Sequence, residues 1–345
     1  MQKAVSLIVG LLFVLSASEV PADPKFYEGK TLTIVSGYPP GGGYSAYALV
    51  ISRHLTKHIP GRPKVIVQYM PGGSSLVAAN NLFNRTEPDG LTIGAVNMNI
   101  MYSAQILKSE GALFDIAKWK YIGSAASQNY ILVTKSKSPY SSLKALKEVK
   151  QPARIGYMGK GSDMHVFGSA LEEGLGVKFR SIFGYRGGGE VDMGMERGDI
   201  DGRVANLSSF LIEKGDWVKN GFVKILVQAG TIKEKGKLVR DADIPDVPMI
   251  LELSSAPRVK QLRRINALAE VVGKLYVAPP KTPDDRVKIL RQGFLATLAD
   301  PAFLAEANQL KIDTNPIDGS EIETLVKDAM QVDSETVEFL KSLRK

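Results

Sequence analysis

A strand pattern that runs into a glycine-rich loop and then directly into a helix restricts the fold of this chain most. The strand pattern begins at Leu32, the loop reads Gly37-Tyr-Pro-Pro-Gly-Gly-Gly43, and a helical pattern follows from Ala46 to His58. In this order, backbone N–H groups and a helix N-terminus meet at the tip of a strand, a place that holds anions. The loop therefore predicts a small anionic ligand and leaves open whether that ligand is bound or transformed.

Strand and helix patterns alternate along most of the chain. The strand candidates are Thr31–Gly37, Lys64–Tyr69, Leu91–Asn97, Lys120–Ser124, Tyr130–Thr134, Arg154–Tyr157, Phe179–Phe183, Asp201–Ala205, Val223–Gln228 and Gly273–Val277. Helical patterns between them include Ser75–Phe83, Ser142–Glu148, His165–Leu175, Gly189–Arg197 and Ser208–Lys214. This alternation predicts an α/β fold with parallel-rich sheets and helices on both faces. From Asp284 to Lys345 the pattern predicts helices only.

The length of 345 residues is enough for two domains, yet no linker rich in Gly, Pro or Ser separates two halves. We therefore expect the chain to cross between domains more than once. Tyr130–Thr134 and Leu226–Thr231 are the segments we expect to make these crossings.

The N-terminus has the features of a signal peptide. Lys3 is followed by an apolar run, Ala4 to Ala17, which is too short to span a bilayer, and Val20-Pro21-Ala22 offers a cleavage site. Residues 1–22 are the predicted signal peptide, so we expect an exported, periplasmic protein. The chain contains no cysteine, which excludes disulfides, a lipid-modified cysteine and thiolate metal sites.

The formal net charge is +8, without a Lys/Arg block or a nucleic-acid motif. This charge is consistent with long-range attraction of small anions or with solubility alone, and we expect no nucleic-acid partner. The three histidines, His54, His58 and His165, do not form a metal-binding motif. We expect neither a metal nor another cofactor.

Glycine-rich corners follow four of the strand candidates. They are Gly41–Ser45, Pro71–Ser75, Gly159–Ser162 and Gly184–Gly189. Ligands of open α/β sheets lie beyond the carboxyl ends of strands, where glycine allows close backbone approach. We expect the four corners to face one cleft, two from each domain.

Enzyme motifs are missing from these corners. The first loop lacks the Gly-Lys-Ser/Thr ending of a nucleotide-binding loop, and the chain has no Gly-x-Ser-x-Gly elbow. Ser162, Asp163 and His165 are too close in sequence for a typical catalytic triad. A catalytic pair of carboxylates stays an open alternative, because the sequence spacing neither indicates nor excludes one.

Six motifs in order resemble one known family. They are Tyr38-Pro-Pro-Gly-Gly-Gly43, Pro71-Gly72-Gly73, Glu87-Pro-Asp-Gly-Leu-Thr92, Gly184-Tyr-Arg-Gly-Gly188, Ile244-Pro-Asp-Val-Pro248 and Val277-Ala-Pro-Pro-Lys-Thr-Pro283. This order is similar to that of the Bug/TctC-type receptors, the solute-binding proteins of tripartite tricarboxylate transporters. The likeness extends from about Phe26 to Gln331.

The resemblance implies a type II periplasmic-binding fold, in which two α/β domains close over a ligand. Domain 1 would comprise residues 23–128 and 229–345, and domain 2 residues 129–228. The ligand would be a small carboxylate, namely an organic acid, a di- or tricarboxylate or an aromatic acid. Backbone N–H groups and water would hold it, and the resemblance implies no cofactor.

The ligand-binding residues that we predict come from both domains. They are Tyr38, Gly42, Gly43, Tyr44, Ser45, Ser74, Asn97, Gly161, Ser162, His165, Tyr185, Gly187, Arg203 and Asn206. Ser45 stands where the family usually has an acidic residue, and Arg203 where an apolar residue is common. If Arg203 faces the cleft as an anion clamp, these departures favour a dicarboxylate or an aromatic acid over an amino acid. A salt bridge is the alternative role for Arg203.

Three functions remain open from the sequence. The leading hypothesis is a monomeric capture protein that delivers its ligand to membrane permease subunits of the TctA/TctB type. A sensory subunit of a membrane signalling system would use the same fold. A secreted α/β enzyme acting on an organic acid would need a nucleophile–base pair, which we do not find.

Overall fold

The structure is a computed structural model that describes residues 25–233, 237–257, 259, 268, 270–332 and 334–342. The predicted signal peptide, 1–22, lies outside these residues. The strands are β1 (Thr31–Ser36), β2 (Lys64–Tyr69), β3 (Thr92–Val96), β4 (Lys120–Ser124), β5 (Tyr130–Lys135), β6 (Ala153–Gly156), β7 (Phe179–Ile182), β8 (Gly202–Asn206), β9 (Val223–Gln228), β10 (Thr231–Lys233), β11 (Lys237–Val239), β12 (Leu275–Ala278) and β13 (Ile317–Asp318).

Helices connect or follow most of these strands. They are α1 (Gly43–Leu55), α2 (Leu76–Asn84), α3 (Met98–Ile106), α4 (Leu143–Glu148), α5 (Asp163–Leu175), α6 (Gly188–Arg197), α7 (Leu207–Lys219), α8 (Ile250–Leu253), α9 (Asp284–Ala299), α10 (Pro301–Gln309), α11 (Gly319–Ala329) and α12 (Ser334–Ser342). None of the helices in the described part of the chain combines the length and apolar character that a bilayer crossing needs.

The larger strands form two sheets. The first sheet has the order β13-β4-β12-β3-β1-β2, and the second has the order β7-β6-β8-β5-β9. β10 and β11 pair separately as a short antiparallel hairpin. The α/β fold with two sheets is the one that the alternating pattern predicts.

The sheets are mixed, so the prediction of parallel-rich sheets is wrong. β1 runs parallel to β2 and β3, and β6 runs parallel to β7 and β8. β12 and β5 are antiparallel to both of their neighbours. Each of these two strands enters its sheet after the chain has come from the other half of the molecule, so no right-handed βαβ crossover sets its direction.

The sequence predicts only helices from Asp284 to Lys345, but the structure also has a strand in this segment. β13 adds a two-residue edge to the first sheet by pairing with β4. Such a short strand leaves too few alternating residues for a pattern to show in the sequence.

The chain crosses between the sheets beside the predicted crossing segments. Residues 125–129 join β4 to β5, so Tyr130–Thr134 already lies inside the second sheet. The return to β12 begins after β9, but Ile250 and Val259 still pack in a core of the second sheet. The residue boundaries of the two domains stay a prediction.

Each sheet is covered by apolar side chains on both faces. In β1, Ile34 belongs to one cluster and Val35 to another. In β5, Leu132 and Val133 divide in the same way between two clusters. Successive strand residues point to opposite faces, so this division means that helices bury both sides of each sheet.

Gly319 is a position where the packing tolerates no side chain. It begins α11 against β4, and a Cβ atom there would lie 2.0 Å from the carbonyl oxygen of Tyr121. We expect Gly319→Ala to lower the free energy of unfolding by about 1–3 kcal/mol, because backbone atoms would have to shift. Gly111→Ala is the control, since its Cβ would meet nothing within 4 Å. Urea unfolding followed by circular dichroism measures both; equal midpoints for the two variants would contradict the packing.

Candidate functional site

A cavity of about 500 Å³ lies between the two sheets, and residues from both of them line it. Its wall on the first-sheet side includes the loop after β1 and Asn97, which follows β3. Its wall on the second-sheet side includes Met158 after β6, the start of α6, and residues of β8 and α7. The carboxyl ends of β1, β3, β6 and β8 therefore converge on one cleft, which is where α/β proteins bind ligands.

The loop after β1 delivers the N-terminus of α1 to this cleft. Gly42 is the N-cap of α1 and provides no side-chain cap, so the first N–H groups of the helix need other acceptors. A Cβ atom on Gly43 would lie 2.1 Å from the Oγ of Ser209 and 2.8 Å from its Cα. Glycine at this position therefore permits the close approach of α1 and α7.

A polar chain links the two halves deep in the cleft. The Asn97 Nδ2 donates to the Tyr38 hydroxyl and to the Asp163 Oδ2, each at 3.0 Å. The Tyr130 hydroxyl donates to the same carboxylate oxygen at 3.1 Å. Asn97 and Tyr38 belong to the first-sheet half, whereas Asp163 begins α5 in the second. The Asp163 carboxylate is therefore shared between the two walls.

A second polar group closes the cleft beside the crossing segments. The Gln128 Nε2 donates to the Tyr44 hydroxyl at 2.7 Å and to the Gly273 carbonyl at 2.6 Å. The Tyr44 ring stacks on the Tyr38 ring with a centroid distance of 4.4 Å. Burial raises the pKa of Tyr44 well above its usual value, so its hydroxyl stays a hydrogen-bond donor at neutral pH.

Buried charges form the floor of the cleft on the second-sheet side. The Arg203 Nη1 donates to the Asp192 Oδ1 at 2.6 Å and to the Gly188 carbonyl at 3.1 Å. Both side chains are nearly inaccessible, at 3% and 0% exposed. The Glu213 Oε2 lies 3.9 Å from the same Nη1. The charge of Arg203 is thus already balanced by a carboxylate of its own half.

Lys274 places a second cation beneath the cleft. Its Nζ donates to the Ser209 Oγ at 3.2 Å and to the Asn206 Oδ1 at 3.3 Å. It also lies 4.3 Å from the centroid of the Tyr44 ring, a cation–π contact. Burial lowers the pKa of Lys274 to about 8, so the ammonium form still dominates at pH 7.

The structure brings many of the predicted site residues together. The cavity is lined by Tyr38, Gly42, Gly43, Tyr44, Asn97, Gly187, Arg203 and Asn206. Ser74, Ser162 and Tyr185 line a neighbouring cavity of about 480 Å³, which shares Met158 and Arg186 with the first. Arg203 faces the cleft, but its salt bridge to Asp192 uses part of its donor capacity. Its role as an anion clamp stays a prediction.

Ser45, Gly161 and His165 are absent from the linings of these two cavities and make local contacts instead. The Ser45 Oγ donates to the Gly42 carbonyl at 2.7 Å, which tightens the first turn of α1. The Gly161 N–H donates to the His165 Nδ1 at 3.0 Å. Burial lowers the pKa of His165 to about 4, so its ring is neutral at pH 7.

Several residues at the cleft were not predicted from the sequence. Gln128, Asp163 and Glu213 line the cavity, and Lys274 contacts Asn206 from below. The sequence singles out Asp163 only within the Ser162–Asp163–His165 grouping, whose close spacing argues against a catalytic triad. Glu213 lies within a helical pattern, and no local sequence signal distinguishes it from a surface glutamate.

Comparison with known proteins gives one family and several related structures. Residues 50–340 match the family model of the tripartite tricarboxylate transporter family receptor, TctC. No curated protein matches the sequence.

Three solved structures illustrate the likeness in fold. The periplasmic binding protein BugD is 19% identical, with a TM-score of 0.73 over 92% of this chain and 98% of that one. MatC from Rhodopseudomonas palustris, solved with bound malate, is 17% identical, with a TM-score of 0.69 over 90% and 99% of the two chains. A second R. palustris protein, solved with adipate, is 15% identical, with a TM-score of 0.72 over 91% and 98%.

At these identities the solved structures show a shared fold, and they confirm the predicted periplasmic-binding architecture. The family model adds what structures of such low identity do not, because a sequence match over residues 50–340 shows membership of a family. The protein belongs to the tripartite tricarboxylate transporter receptor family.

Proposed function

We propose that this protein is a periplasmic solute-binding protein that captures a small carboxylate for a tripartite tricarboxylate-type membrane transporter. The observation that carries the proposal is the cleft between the two sheets, where the N-terminus of α1 and the buried, unpaired amide of Asn206 line the same cavity. Family membership supports the role in transport. The malate and adipate in two structures of the same fold support the ligand class.

The chemistry of the cleft suits reversible binding of an anion. Asn206 lines the cavity. Its Nδ2 is buried and has no hydrogen-bond partner in the described part of the protein. A neutral donor such as this amide stabilises an anion without a cation that would be left buried and unpaired when the ligand leaves.

Ser162, Asp163 and His165 make structural contacts at the start of α5. The Ser162 Oγ accepts the backbone N–H of His165 as the N-cap of α5. The His165 ring packs edge-on against Tyr157 and Phe183 and accepts a backbone N–H at Nδ1. The three side chains therefore cap a helix and bind its neighbours, and the proposal assigns no enzymatic activity.

The proposed partners follow from the family and the N-terminal segment. Cleavage after residue 22 would release the chain into the periplasm, and the absence of cysteine leaves no site for a lipid anchor. We propose that the protein is a monomer whose ligand-bound form docks to permease subunits of the TctA/TctB type. Residues 129–228 would move as domain 2 against the remainder when the cleft closes.

A small carboxylate should stabilise the folded protein. At a concentration of about 100 times Kd, a ligand that binds only the folded state adds about 2.7 kcal/mol to the free energy of unfolding. A thermal-shift screen that includes malate, adipate, citrate and benzoate measures this effect as a rise in the melting temperature. Failure of every carboxylate to raise it would contradict the proposed function.

The two walls of the cleft approach each other closely at Gly187 and Pro39. A Cβ atom on Gly187 would lie 3.1 Å from the Pro39 Cγ across the cleft, and Gly187 has an extended backbone that any residue adopts. We expect Gly187→Leu to hold the two walls apart and to weaken carboxylate binding at least tenfold. Isothermal titration calorimetry with the strongest acid from the screen measures the change.

Gly111→Leu is the matched control, because a Cβ atom at Gly111 would meet nothing within 4 Å and Gly111 does not line the cavity. Both variants should melt within a few degrees of the unmodified protein in the absence of ligand. Equal affinities for the two variants would show that this contact does not govern closure.

A further inference from the structure

Glu213 occupies an unexpected position for an acidic residue in a cleft that binds anions. It lies on α7 in the second-sheet half, and its side chain is 7% exposed. Its Oε1 accepts the N–H of Gly43, the first residue of α1, at 2.8 Å. The carboxylate therefore lies at the helix N-terminus that the loop after β1 presents to the cleft.

Two glycines, Gly42 and Gly188, lie close to this carboxylate. A Cβ atom on Gly42 would lie 3.5 Å from the Glu213 Oε1, and one on Gly188 would lie 2.8 Å from the Oε2. Gly42 precedes α1 and Gly188 begins α6, so two helix N-termini face the same side chain. Burial raises the pKa of Glu213, whereas the charge of Arg203, the Gly43 N–H and the two helix N-termini favour the ionised carboxylate.

The second carboxylate oxygen has no hydrogen-bond partner. The Glu213 Oε2 is buried and unpaired within the described part of the chain. The Arg203 Nη1, at 3.9 Å, is beyond hydrogen-bond distance and already donates to Asp192 and to the Gly188 carbonyl. A buried carboxylate oxygen in this state requires a donor. Glu213 lines the cavity, so a ligand in the cleft is able to supply one.

Residues with unpaired donors line the same cavity as this unpaired acceptor. The Asn206 Nδ2 and the Arg203 Nε are both buried without hydrogen-bond partners in the described protein, and both residues line the same cavity as Glu213. A molecule that complements all three groups must both accept hydrogen bonds and donate one. A plain carboxylate provides only acceptors.

We propose that Glu213 is a specificity-determining residue that selects carboxylates carrying a hydrogen-bond donor, either an ammonium or a hydroxyl group. The ligand carboxylate accepts from Asn206 and from neighbouring N–H groups, and its donor group binds the Glu213 Oε2. This proposal rests on the proposed function and narrows its ligand class. It also differs from the expectation that the absence of an acid at Ser45 disfavours amino acids, because Glu213 supplies an acid from another helix.

Matched acids that differ by one group test the proposal. Succinate, malate and aspartate form one series, and phenylacetate, mandelate and phenylglycine form another; in each, the second acid adds a hydroxyl group and the third an ammonium group. Calorimetric titration of the unmodified protein should show at least tenfold tighter binding of one donor-bearing acid than of the plain acid in the same series. The preferred acid identifies the donor as hydroxyl or ammonium.

Glu213→Gln provides the second arm of the test. The glutamine carbonyl still accepts from Gly43, but an NH₂ group replaces the unpaired oxygen. We expect the preference for the donor-bearing acid to fall at least tenfold, with plain acids binding as well as before or more tightly. Asp216→Asn, an exposed position one turn later on α7, is the control and should keep the preference of the unmodified protein.

The outcomes separate this proposal from the proposed function. Binding of plain and donor-bearing acids with equal affinity, or a preference that Glu213→Gln leaves unchanged, overturns the role of Glu213 alone. An increase in affinity for all acids alike in Glu213→Gln also overturns it, because Glu213 would then only compete with the ligand for α1. If no carboxylate binds the unmodified protein, the proposed function fails and this proposal fails with it.

Discussion

The close approach of α1 and α7 is the contact on which the cleft depends. Gly43 lies directly against Ser209, and any side chain at Gly43 would collide with the backbone of α7. This contact brings the N-terminus of a first-sheet helix next to Asn206, Ser209 and Glu213 of the second-sheet half. The same glycine donates its N–H to Glu213 of the second-sheet half, so it joins the two walls of the cleft.

Buried charged and polar side chains surround the contact between α1 and α7. Arg203 and Asp192 neutralise each other at 2.6 Å, whereas Lys274 is held by a hydroxyl, an amide oxygen and an aromatic ring. Desolvated charges contribute little net stability unless their hydrogen bonds are complete. Glu213, Asn206 and Arg203 each have an unpaired buried atom and line one cavity, while the Asp192 Oδ2 beside them is unpaired outside its lining.

Local sequence patterns predicted the residue bounds of several strands but not the orientation of every strand within its sheet. β2, β4 and β9 have the residue bounds expected from their apolar runs, because each pattern depends only on neighbouring residues. The direction of β5 and β12 within their sheets depends on where the chain re-enters each half. β13 gains its strand geometry solely from pairing with β4. No short window of sequence contains that information.

The sequence by itself determined the α/β class, the glycine corners and the family, since all three depend on motifs of residues that are close together along the chain. Tertiary structure alone decided which residues complete the cleft. It placed Glu213 at the N-terminus of α1, 170 positions away in sequence, and Lys274 beside Asn206, 68 positions away. Hydrogen bonds over such separations form only when the sheets pack and the chain crosses between them, so no local pattern records them.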